Sequence, residues 1–117
     1  MTRYALTVLL CLSPMVAMAD GNELLSGCQK IINAQDTQKW LSPDDSYVGG
    51  NCLGVVRTVA SLGRELPADL QSCTPPGIPT TQAVRVIVKW LKENPSVLNH
   101  DAAFLAAEAL KESFPCK

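Results

Sequence analysis

Cysteine is the residue type in this sequence with the clearest potential for chemistry. The 117 residues contain five cysteines and one histidine. Cys11 lies in an apolar N-terminal run, and Cys28, Cys52, Cys73 and Cys116 are spread over the rest of the chain. No two of them have the C-x-x-C spacing of redox motifs and zinc sites. We therefore predict no metal site, no cofactor, and two disulfides formed by the last four cysteines.

His100, Asp44 and Asp45 are the other side chains that could take part in catalysis. His100 precedes a helical pattern beside Asp101, where a capping or surface role fits better than that of a base. Asp44 and Asp45 are adjacent in a segment with Ser and Pro, which is typical of a solvated turn. No serine lies in a nucleophile motif, and the sequence contains no glycine-rich phosphate loop. The residues therefore predict a protein that is not an enzyme and has no catalytic residues.

The N-terminal residues have the pattern of a secretory signal peptide. Arg3 is followed by an apolar run over residues 4–19, and Ala17-Met18-Ala19 fits a small-x-small cleavage site. The run is shorter than the roughly 20 residues that a membrane-spanning helix needs. We therefore expect residues 1–19 to be removed during export and no membrane anchor to remain.

Cleavage would leave residues 20–117, which have the size of one small domain. These residues hold 9 basic and 11 acidic side chains, a net charge of −2. A slightly acidic domain without a Lys/Arg cluster indicates neither a nucleic-acid partner nor a membrane surface. Because so small a domain has a modest core, disulfides would add much to its stability.

Four segments have the apolar spacing of amphipathic helices: 22–34, 51–63, 80–94 and about 101–113. Asn22 and Asn51 are the expected N-caps of the first two helices. The second segment is rich in β-branched residues, so a strand is the alternative there. The pattern predicts an all-α fold, a small bundle of four to five helices stabilised by two disulfides.

The segment 35–50 between the first two helices contains Ser-Pro-Asp-Asp and Gly-Gly. We predict a loop here, with at most one short helical turn and with Gly49-Gly50 as a hinge or turn. Trp40 and Tyr47 stand out in it because an exposed aromatic side chain often anchors a protein interface. For Trp40, a lid over the core is the alternative, whereas Trp90 in the third helix is expected to be half-buried.

Several short motifs are spread over most of residues 20–117. In chain order they are Leu24 to Cys28, Cys52-Leu53-Gly54, Cys73-Thr74-Pro75 with Gly77 and Gln82, Trp90-Leu91 with Pro95, Ala109-Leu110, and Phe114-Pro115-Cys116. With these motifs the chain resembles the Rap/Tai family of type VI secretion immunity proteins. One departure is Gly54-Val55-Val56-Arg57, where members often have an aromatic residue and a second glycine. This departure bears on the packing of the second helix and on the choice of partner.

The resemblance implies an exported, all-helical, disulfide-bonded protein of the periplasm. It would bind a cognate peptidoglycan amidase and block the active-site cleft of that enzyme, and characterised members often form homodimers. A periplasmic stress or chaperone-like protein without a cognate effector is the alternative. The family motifs identify no contact residues, so the candidates, each with a solvated position as its alternative, come from the predicted loops: Trp40, Asp44, Asp45, Tyr47, Asn99 and His100.

Three pairings of the four cysteines are open from the sequence. In an up-down bundle the ends of the second and fourth helices share one pole with Cys73. This layout favours the pairs Cys28–Cys52 and Cys73–Cys116, and a Cys52–Cys73 bridge would contradict it.

Overall fold

A computed structural model describes residues 19–117 of the chain, so the predicted signal peptide lies outside the described residues except for Ala19. The helices in this part are Gly21–Thr37 (α1), Pro43–Leu62 (α2), Thr80–Glu93 (α3) and Ala102–Ser113 (α4). Residues 19–117 contain no β-strand, so the all-α prediction is confirmed and the strand alternative for the second segment is wrong. None of the described helices is long and apolar enough to cross a membrane.

The predicted loop over residues 35–50 is wrong. α1 continues to Thr37, and α2 begins at Pro43, so the connection between them is limited to residues 38–42. Ser42 caps α2 by accepting a hydrogen bond from the backbone N–H of Asp45 at 3.2 Å. Pro43 occupies the first helical turn, where its missing N–H costs no hydrogen bond. Gly49-Gly50 is consequently a helical segment and not a hinge.

Two of the predicted helix caps are also wrong, because both helices begin earlier in the chain. Asp20, not Asn22, caps α1 by accepting a hydrogen bond from the N–H of Glu23 at 3.0 Å. Asn51 lies in the middle of α2 and caps nothing. The predicted start of the fourth helix is confirmed, since the Asp101 carboxylate accepts from the N–H of Phe104 at 3.0 Å.

The core lies where the four helices meet. The apolar face predicted for α3 is confirmed, with Val84, Ile87 and Leu91 fully buried. Leu105 and Leu110 of α4 are buried against it. Trp90 is half-buried as predicted, and its indole N–H donates a hydrogen bond to the Glu112 carboxylate. The amphipathic period of α3 thus places its apolar side chains as the sequence indicated.

Two disulfides hold the bundle together, and the favoured pairing is confirmed. Cys28–Cys52 joins α1 to α2 inside the core. Cys73–Cys116 joins the connection between α2 and α3 to the end of the chain. Beside it, the N–H of Cys73 donates to the carbonyl of Phe114 at 2.8 Å. The chain end is therefore fixed to the body by both a covalent bond and a backbone hydrogen bond.

Candidate functional site

A stripe of polar residues runs along one exposed side of α1. Its spacing of three or four residues keeps its members on the same side of the helix. We call the stripe the α1 face, and its residues are Asn22, Ser26, Lys30, Asn33 and Thr37. All but Lys30 are exposed, and Lys30 is the only member that carries a charge. α1 has 17 residues, so the α1 face extends over about 25 Å.

Two grooves between α1 and α2 border the α1 face. The larger one, about 540 Å³, is lined by Asn22 and Ser26 on one side and by Tyr47 and Val55 on the other. The smaller one, about 210 Å³, lies toward the other end of α1, where Trp40 lines it. An ion pair between Lys30 and Asp45, with 2.7 Å between the Nζ and Oδ1 atoms, connects the helices beside the smaller groove.

Trp40 and Tyr47 are the most exposed aromatic side chains of the described residues. The Trp40 side chain is 100 % exposed, so it does not cover the core, and the lid alternative is wrong. Tyr47 is 72 % exposed and projects from α2 rather than from a loop. Each lines a groove that also contains members of the α1 face. The two aromatic residues therefore flank this face.

Asp44 and Asp45 lie in the first turn of α2 and not in the solvated turn that the sequence indicated. There the partial positive charge of the helix N-terminus favours carboxylates. A hydrogen bond from Lys30 lowers the pKa of the Asp45 carboxyl, and the charge of Lys30 and a hydrogen bond with Ser42 add to this effect. The pair neutralises the single charge of the α1 face.

Because the pKa of Asp45 is lower in the folded than in the unfolded protein, the Lys30–Asp45 pair stabilises the fold only while Asp45 is ionised. This contribution is complete above the unfolded pKa of about 4 and is lost as the pH falls through the folded pKa. We expect the melting temperature of Asp45→Asn to lie below that of the wild type at pH 7. The difference should shrink as the pH falls below about 4, and thermal unfolding at several pH values measures it.

The control for this pH dependence is Asp44→Asn, which removes a neighbouring carboxylate that has no ion-pair partner among the described residues. It should leave most of the acid dependence in place. An Asp45→Asn variant whose melting temperature falls with acid as steeply as that of the wild type would contradict a role of this pair.

Asn99 and His100 lie in the connection between α3 and α4. We call the part of this connection that contains them the tip (Leu98–His100). Both are exposed. The carbonyl of His100 accepts a hydrogen bond from the N–H of Gly21 at 3.0 Å, so the tip lies at the N-terminal end of α1. Trp40, Asp44 and Asp45 lie farther along α1. Trp40 lines a groove with Thr37 at the C-terminal end of the helix, and Asp45 is paired with Lys30, about 14 Å of helix from Gly21.

The six predicted contact residues therefore fall into two groups, with Tyr47 between them. A standard protein interface buries about 800 Å² of each partner, a patch roughly 30 Å across. One interface along α1 is consequently large enough to include both groups. The α1 face that connects them was missed in the sequence, although polar residues at helical spacing opposite Leu24 and Cys28 could have indicated it.

The described residues contain no group of three His, Cys, Asp or Glu side chains placed to hold a metal ion. The arrangement of the α1 face, with grooves and exposed aromatic residues on a cross-linked scaffold, fits contact with a protein partner. Among known proteins, the family model described as Rap1a immunity proteins matches residues 20–116. This match begins at the N-cap of α1 and ends at the last disulfide cysteine. No curated protein and no solved structure matches the chain significantly.

Proposed function

This chain belongs to the Rap1a immunity protein family, and we propose that it protects the periplasm by inhibiting a peptidoglycan amidase delivered by type VI secretion. Residues 20–117 form the inhibitory domain after the signal peptide has been removed during export. Inhibition is steric, since the bound protein covers the cleft through which a cell-wall peptide reaches the active site. The domain itself contributes no catalytic group.

The main observation in support of the proposed contact surface is the full exposure of Trp40 beside the α1 face. Protein interfaces are enriched in Trp and Tyr and depleted of charge at their centre. The α1 face has both properties, because Trp40 and Tyr47 flank it and its one charge is paired with Asp45. A fully exposed indole contributes nothing to the core, whereas burial against a partner would remove a large apolar surface from water.

The cross-linked scaffold supports a tight complex. Cys28–Cys52 joins α1, which carries the α1 face, directly to α2, and Cys73–Cys116 fixes the chain end after α4 to the connection between α2 and α3. A surface that is already ordered loses little conformational entropy on binding, so more of the contact energy contributes to affinity. An inhibitor that must remain over an active-site cleft benefits from this property.

Trp40→Ala is expected to weaken binding to the amidase at least tenfold. Exposed aromatic residues that become buried in an interface commonly contribute this much or more. The melting temperature should stay within about 2 °C, because the exposed side chain makes no core contact whose loss would destabilise the fold. Calorimetric titration with the purified amidase measures the affinity, and thermal unfolding measures the stability.

The matched control is Leu62→Ala, which removes another exposed apolar side chain at the end of α2. It should change the affinity less than twofold. Equal losses of affinity in both variants, or unchanged affinity in Trp40→Ala, would place the contact surface elsewhere.

A protection assay tests the function itself. The product of the adjacent gene, expressed in the periplasm of a test strain, should cause lysis that co-expression of this exported chain prevents. A version without residues 1–19 should give no protection, and the exported proteins should co-elute in gel filtration. Lysis that continues despite export would contradict immunity against that effector. Capture of many unrelated unfolded chains would instead favour the stress or chaperone-like alternative.

A further inference from the structure

The start of the described chain is attached to the tip by backbone hydrogen bonds. The N–H of Gly21 donates to the carbonyl of His100 at 3.0 Å, and the N–H of Asn22 donates to the carbonyl of Leu98 at 3.1 Å. The side-chain amide of Asn22 donates to the same carbonyl at 3.2 Å. These three bonds use only residues after Ala19, so cleavage at the predicted site removes none of their atoms. The bond from the N–H of Ala102 to the carbonyl of Ala19 is lost with the signal peptide.

Close packing accompanies these hydrogen bonds at Gly21. A Cβ atom at this position would lie 2.8 Å from the carbonyl oxygen of Leu98 and 3.0 Å from its Cα atom. It would also overlap a methyl group of Leu105. The backbone of the tip therefore lies directly on the backbone of residue 21, and glycine is the residue that permits this approach.

The N-terminal ends of α1 and α4 lie side by side next to the tip. Asp20 and Asp101 face each other as an antiparallel pair, and each carboxylate caps its own helix. We call Asp20–Asn22 the N-terminal segment. Its conformation is set by the start of α1, and it pairs with the residues that lead from the tip into α4. The tip makes a further backbone bond within its own connection, from the N–H of His100 to the carbonyl of Val97.

We infer that the N-terminal segment is a positioning element for the contact surface, which holds the tip in the conformation that binds the effector. This inference rests on the proposed function. A tip that is ordered before binding loses less entropy in the complex, so detachment of the segment lowers affinity even where the core remains folded. Gly21 acts through the tip and not by contact, because Gly21 is itself buried.

Gly21→Ala tests the inference, with amide hydrogen exchange followed by NMR and binding of the purified amidase as the two measurements. Exchange of the amides of residues 21 and 22 should become at least tenfold faster, whereas the amides of Ile87 and Leu91 in α3 should keep their protection. Affinity should fall about tenfold or more. Gly54→Ala is the matched control, since no atom lies within 4 Å of the added Cβ, and it should change neither measurement.

A second variant keeps the test informative if Gly21→Ala does not fold. Asp20→Cys/Asp101→Cys replaces a facing pair whose Cα atoms are expected about 4.5 Å apart, within the range that a disulfide spans. The variant loses both caps, so its oxidised form is compared with its own singly substituted chains. The oxidised form should bind the amidase at least tenfold more tightly than either single variant.

Two results would overturn the positioning role, namely unchanged affinity in Gly21→Ala despite faster exchange, or equal affinity of the oxidised and single variants. In both cases the wild type would still bind, and the proposed function would stand. A wild type that binds no amidase would instead contradict the proposed function, and the exchange data would still report whether the segment orders the tip.

Discussion

Replacement of both Cys28 and Cys52 by alanine is expected to lower the free energy of unfolding by about 4 kcal/mol or more. The bridge joins residues 24 positions apart. Its loss raises the conformational entropy of the unfolded chain, which lowers the free energy of unfolding by about 3.5 kcal/mol. Both cysteines are also fully buried in the core, so removal of their sulfur atoms leaves a cavity. Small domains are stable by only about 5–15 kcal/mol, so this is a large fraction of the total.

The matched control is Cys73→Ala/Cys116→Ala, which opens a bridge over 43 positions. Chain entropy alone predicts a loss larger by only about 0.5 kcal/mol for this longer loop, because the effect grows with the logarithm of its length. Since Cys73 and Cys116 are only partly buried, the cavity contribution is smaller there. We therefore expect the core variant to be the less stable of the two.

Urea unfolding under non-reducing conditions measures both double variants against the wild type. A larger loss for Cys73→Ala/Cys116→Ala would show that restriction of the unfolded chain outweighs packing around Cys28 and Cys52. Slopes of the free energy against urea concentration report whether either variant exposes more surface on unfolding, as expected when a cross-link is removed.

The sequence predicted the helices whose apolar residues are buried at a regular period. α3 is the clearest case, because Val84, Ile87 and Leu91 recur at helical spacing and all three are buried. It failed at the start of α2, where Pro, Asp, Ser and Gly each favour turns. The same residues also form a helix start, with a Ser cap, a Pro in the first turn and acidic residues after it. Packing of α2 against α1 decides between these two interpretations.

The candidate site was predictable residue by residue but not as an arrangement. Trp40 and Tyr47 were identifiable as aromatic residues near a polar segment. That both flank one side of α1 depends on the register between α1 and α2, which Cys28–Cys52 and close helix packing determine. The attachment of the tip had no local signal, since its hydrogen bonds join Asn22 to a residue 76 positions away.

Gly27→Ala is expected to lower the free energy of unfolding by about 2–3 kcal/mol, although alanine is the better helix former by about 1 kcal/mol. Gly27 is buried where α1 crosses α2. A Cβ atom there would overlap the carbonyl oxygen of Val48 and lie 3.0 Å from its carbonyl carbon. Both atoms belong to the backbone of α2, so no side-chain rotation relieves the overlap, and the neighbouring Cys28–Cys52 bridge limits separation of the helices.

Gly50→Ala is the matched control, because Gly50 lies in the interior of α2 with no atom within 4 Å of the added Cβ. The helix preference of alanine acts alone there, so this variant should gain about 0.5–1 kcal/mol. In a domain of this size, thermal unfolding should show a melting temperature lowered by roughly 10 °C or more for Gly27→Ala and raised by several degrees for Gly50→Ala. If both variants were stabilised, α1 and α2 could move apart without a loss in the free energy of unfolding. The register that places Trp40 and Tyr47 along one side of α1 would then not be fixed by close packing.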